Sequence, residues 1–74
     1  MSLFEFLAKL DAQSVSYTIH RTRPDTVRVD VTFVGLRVEV DFFEDGHIEY
    51  STFSGTEDVY DDVGHLLRII EANR

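Results

Sequence analysis

The side chains able to do chemistry in this chain are fourteen carboxylates and three histidines, with no cysteine among its 74 residues. The missing thiols remove disulfides, thiolate metal centres and cysteine nucleophiles together. Asp61 and His65 stand four apart, a spacing that puts two divalent-cation ligands on one helix face. Two ligands do not close a site, and the same spacing serves an Asp–His hydrogen bond. His20 and His47 fall in alternating, strand-like sequence, with no serine or second histidine at a catalytic spacing. Glycine-rich phosphate loops, H-E-x-x-H and G-x-S-x-G are all missing. Carboxylates on a sheet can act as acid and base, but that role needs a pocket to perturb them. The expectation is a non-catalytic domain with neither cofactor nor metal.

Charge says more. Seven Lys and Arg against fourteen Asp and Glu leave a net charge of −7. Residues 1–37 are nearly balanced, with Lys9, Arg21, Arg23, Arg28 and Arg37 against Glu5, Asp11, Asp25 and Asp30. From Glu39 to Asp62 nine carboxylates occur with no Lys or Arg between them. Such a field repels phosphate backbones and anionic lipid, so neither nucleic acid nor membrane is an expected direct partner. A basic protein suits it. No apolar run nears the roughly 18 residues of a membrane span. The opening Met1-Ser2-Leu3-Phe4-Glu5 lacks the basic start of a secretion signal, so a cytoplasmic location is expected.

The elements that position these groups follow from apolar spacing. A chain this short supports one core, so a single domain over 1–74 is expected. Leu3, Phe6, Leu7 and Leu10 predict a helix over 2–13, with Ser2 and Glu5 spaced as a capping box. Between 15 and 53 the period drops to two. Val27, Val29, Val31 and Phe33 form one alternating run, and Leu36, Val38, Val40 and Phe42 another. Tyr17 and Ile19 before them, and Ile48 and Tyr50 after, extend the pattern to four strands. A two-residue Val34-Gly35 loop pairs Phe33 with Leu36, Val31 with Val38 and Val29 with Val40, although Val suits positive φ poorly. A three-residue loop with a left-handed Gly46 pairs Phe42 with Ile48; a two-residue loop would invert the last strand.

Val59, Val63, Leu66 and Ile70, flanked by Tyr60 and Leu67, predict a second helix over 57–72 with Thr56 as N-cap. Gly64 within it costs about 1 kcal/mol relative to Ala unless it permits a close approach. The fold class is therefore α+β, a two-layer sandwich in the order α-β-β-β-β-α. Its four-stranded antiparallel meander carries both helices on the face lined by Tyr17, Val29, Val31, Val38, Val40 and Ile48.

The other sheet face is left to water. The register sets Ser16, Thr18 and His20 beside Thr32, Asp30 and Arg28, then Arg37, Glu39, Asp41 and Phe43, then His47, Glu49 and Ser51. Arg28 faces Asp41 favourably, whereas Asp30 faces Glu39 and Asp41 faces Glu49, like-charge pairs that a cationic partner would relieve. The same pattern also suits a plain solvated face. Phe43 reads either as an apolar anchor or as an aromatic folded over the Glu44–Gly46 turn. Glu57, Asp58, Asp61 and Asp62 form a second acidic cluster, the first two favoured by a helix dipole.

Phe6-Leu7, Val15-Ser16-Tyr17, Arg21-Thr22-Arg23, Val38-Glu39-Val40-Asp41-Phe42-Phe43 and Asp45-Gly46 together carry a family resemblance. On them the chain resembles a family of small bacterial α+β proteins. In size and acidity it is similar to immunity proteins that block secreted bacterial toxins. That likeness implies an immunity protein or antitoxin occupying a basic toxin, of nuclease type. The charge pattern supplies the expected contact residues: Glu39, Asp41, Glu49, Asp58, Asp61 and Asp62, with Phe43 as anchor. Reversing Asp41 and Glu49 to Lys is expected to cost affinity without unfolding the domain. A phage-type nucleic-acid mimic that inhibits a defence complex uses the same surface. A homodimeric structural subunit, paired through the sheet face or an edge strand, is a further alternative.

Overall fold

The computed structural model describes residues 1–53 and 59–73. Helix α1 (Leu3–Ala12) leads into strands β1 (Ser16–Arg23), β2 (Thr26–Phe33), β3 (Leu36–Phe43) and β4 (Ile48–Phe53). A short β5 (Val59–Tyr60) and helix α2 (Val63–Asn73) follow. All five strands lie in one sheet in chain order, each antiparallel to the next. The α+β class and the four-stranded meander between two helices are as the periodicity indicates.

Both ends of α1 are set by local chemistry. Ser2 Oγ accepts the Glu5 N–H and Glu5 Oε1 accepts the Ser2 N–H, each at 3.1 Å. The Ser2 backbone N–H, and next its hydroxyl, hold the Glu5 carboxyl below the ordinary carboxylate range. At the other end Val15 N–H donates to Leu10 O and Ser14 N–H to Asp11 O, a Schellman pattern. Ser14 takes the left-handed turn residue's place at φ 55°, where glycine is usual.

The hairpins carry the expected register. Phe33 pairs with Leu36, Val31 with Val38 and Val29 with Val40. Only Gly35 in that loop has positive φ, at 74°, so Val34 is spared the conformation it resists. Gly46, at φ 92°, closes the three-residue loop that pairs Phe42 with Ile48 and Val40 with Tyr50. Between His20 and Arg23 the β1–β2 register slips by a bulge.

The core follows from that register. Val29, Val31, Val38, Val40, Phe42, Ile48 and Tyr50 share one sheet face, buried with Phe6 and Leu10 of α1 and Leu66 and Ile70 of α2. Each such side chain contributes about 1.5–3 kcal/mol when buried. The Phe6 ring lies 5.3 Å from that of Phe42, and the Tyr50 hydroxyl meets His65 Nδ1. Both helices thus touch this one face. Gln13 Nε2 also donates to Glu71 Oε2 at 3.3 Å, joining α1 to α2. Ile19 is the exception. It stands opposite the fully buried Val29 yet is 52% exposed, because α1 reaches β1 at Tyr17 and the cover stops short of Ile19.

The start of α2 differs from expectation. The helix begins at Val63 rather than 57, and Asp62 precedes it as the cap, its Oδ1 accepting the His65 N–H at 3.2 Å. Val59 and Tyr60 pair with Ser51 and Tyr50 as strand instead of continuing the helical stripe. Val59 sits four before Val63, so two consecutive elements mimic one helical period. Thr56, expected as the cap, lies outside the described residues. Among the described residues an added Cβ at Gly64 would meet the side-chain tips of Asp62 and Arg68, not the sheet.

Candidate interaction face

The residues alternating with the core strands form the opposite sheet face, and Arg28 organises it. Its Nε donates to Asp41 Oδ1 at 2.8 Å and Nη2 to Oδ2 at 3.2 Å, a two-pronged contact across the β2–β3 pair. Nη1 lies 3.8 Å from Glu39. The Asp41 hydrogen bond keeps the guanidinium pKa above its ordinary value against the opposing effect of burial. The charges of Asp41, Glu39 and Asp30 add to that.

Other carboxylates on this face have partners of their own. Arg37 lies 3.9 Å from Glu39, with its guanidinium 4.7 Å over the Phe53 ring. His20 Nε2 lies 3.0 Å from Asp30 Oδ2 and 2.9 Å from Thr18 Oγ1. His47 Nε2 lies 2.8 Å from Glu49 Oε2. Asp30 does face Glu39, and Asp41 does face Glu49. Arg28 and Arg37 relieve that repulsion within the chain, and His20 and His47 each stand within hydrogen-bond reach of one carboxylate, rather than the pairs being left for a partner. Side-chain conformation decides this, and register alone does not reveal it.

Two expectations change accordingly. The Asp41 side chain is only 17% exposed and gripped by Arg28, so reversing it to Lys would set two cations together and strain the fold. Phe43 is half-buried and folded over its turn, 4.9 Å from the His47 ring and with Arg23 stacked at 5.3 Å. Opposite it Thr26 is almost wholly buried, donating through Oγ1 to Asp25 Oδ1 at 2.8 Å. The turns 24–25 and 44–46 are joined by the Glu44 N–H to Asp25 O bond. Beside them opens a cleft of about 410 Å³, lined by Met1, Leu3, Val27 and Phe42 with Arg21 and His47 among its polar groups.

The acidic run therefore does not make one patch. Glu39, Asp41 and Glu49 share the open face, while Glu44 and Asp45 occupy a turn. Asp61 and Asp62 are exposed at the start of α2, a helix packed on the sheet's other face. Asp58 lies outside the described residues. His65 Nδ1 meets the buried Tyr50 hydroxyl at 2.5 Å, so that nitrogen serves the core rather than a cation shared with Asp61. The His47–Glu49 pair was findable from sequence: two residues apart on a strand is one face. Among the described residues no three metal-ligating side chains converge, and no helix is long and apolar enough to cross a membrane. Compared with protein-family models, curated proteins and solved structures, the chain matches none.

Proposed function

We propose that this chain is a non-catalytic binding domain that neutralises a basic protein, of toxin or nuclease type, in the manner of an immunity protein or antitoxin. The supporting observation is the open sheet face, where Asp30, Glu39, Asp41 and Glu49 stand against Arg28 and Arg37, with Arg23 at its end over Phe43. These carboxylates are held in place before any partner arrives, so little side-chain entropy remains to be lost on docking. The molecule exposes 4663 Å², of which a standard interface of about 800 Å² per partner takes roughly a sixth. Binding of this kind acts chiefly through association rate, and added salt slows it.

The test is co-purification from the native host, then titration of the captured protein at several salt concentrations. Glu49→Lys should weaken binding and flatten the salt dependence without unfolding the domain, while Lys9→Glu, on α1, should change little. Asp41→Asn replaces the Lys reversal, since it keeps the shape that Arg28 requires. An acidic partner, or an affinity indifferent to both salt and Glu49→Lys, would reject this reading.

A further inference from the structure

We propose that β1 is a pairing edge occupied by a second copy of this chain, the two sheets joining antiparallel about a two-fold axis at Ile19. Strand β1 ends the sheet, with β2 as its one neighbour among the described residues. It runs for eight residues, of which only Tyr17 is partly covered. A long exposed edge is a template for another strand unless charge, proline or a bulge blunts it. Here those devices are confined to the end of the strand, where Arg21, Arg23 and the bulge lie. Ser16 to His20 keeps an unbroken register with β2 and carries Tyr17, Thr18 and Ile19, side chains that favour strands. The 52% exposure of Ile19, on the core side of the sheet, is what a missing neighbour would cover.

Symmetry selects the register. A two-fold axis normal to the sheet preserves its faces, so residues placed opposite one another must share parity. With the axis at Ile19, the two Ile19 side chains meet, Thr18 faces the second copy's His20, and Tyr17 faces its Arg21. The Tyr17 hydroxyl already donates to Asp11 at 2.7 Å. Arg21, whose guanidinium donates to the Arg23 and Pro24 carbonyls of its own turn, then brings positive charge to the side of the other copy that carries Asp11 and Tyr17, and no like charges oppose. An axis at His20 would instead set imidazole against imidazole and Arg21 against isoleucine. The pairing leaves both open faces on one side of the joined sheet, so it does not depend on the function proposed above.

Sedimentation equilibrium from micromolar to submillimolar protein tests this. The wild-type chain should show a reversible monomer–dimer equilibrium. Ile19→Lys and Thr18→Pro should each weaken it at least about tenfold, with circular dichroism reporting an intact fold. The absence of native cysteine allows a second measurement. Residues facing each other across antiparallel strands have Cα atoms about 4.5–5.5 Å apart, within disulfide reach. Ile19→Cys should therefore oxidise to a covalent dimer, and Thr18→Cys and His20→Cys should not. A wild-type chain monomeric throughout the range, or a dimer unaffected by Ile19→Lys, would overturn the proposal. Cross-linking at position 18 or 20 in place of 19 would overturn the register.

Discussion

Arg28 shows what one residue does for a face of mixed charge. Its fork holds Asp41 while Glu39 lies within 3.8 Å, so its removal leaves half-buried carboxylates facing each other. Arg28→Ala should cost about 1–2 kcal/mol in urea unfolding, the range for charge-assisted bonds discounted for partial exposure. In an Asp41→Asn background the same substitution should cost clearly less, and equal costs in both would mean the pair is uncoupled. The cross-strand meeting of Arg28 with Asp41 was legible in the sequence because strand alternation fixes who stands opposite whom. The His20–Asp30 contact was not, because it depends on how a side chain leans along the sheet. Glu5 offers a pH test. Its folded pKa lies below the ordinary value through the Ser2 bonds, so its contribution is present above the unfolded value of about 4.3 and lost as pH falls through the folded one. Glu5→Gln should therefore flatten the acid limb of the stability curve, and an unchanged limb would count against the capping box as its source.

Among the elements, the three hairpins were readable because a slip of one residue would turn Val29, Val31, Val38 and Val40 to water. The segment before α2 was not readable in the same way. Two strand residues are too few to display alternation, and Val59 to Val63 repeats a helical interval by coincidence. The better signal was Asp62 immediately before Val63, an acidic N-cap at the true start. Asp62→Ala should cost about 1 kcal/mol, while Asp62→Asn should cost little, because the amide oxygen still accepts the His65 N–H. If Ala and Asn prove equal in thermal unfolding, the cap is not what begins the helix. This role gives Asp62 a local structural reason for its charge, a distinction that charge counting alone does not make.

For the whole molecule, the candidate face was half legible: its members were identifiable, but not all of their side-chain pairings or the division of the acidic run between two sides of the sheet. The chain-order meander has a kinetic consequence. From β1 to β4 every strand pairs with its predecessor across a short turn, and β5 pairs with β4, its neighbour in the chain, so no sheet contact waits for a distant segment to be found. Closing such small loops costs little entropy, and folds rich in local contacts reach the native state quickly. At protein concentrations low enough to exclude dimers, refolding from urea should show a dominant exponential phase on the order of milliseconds. A dominant phase slower than about a second would mean that docking the two helices, rather than zipping the sheet, limits the search.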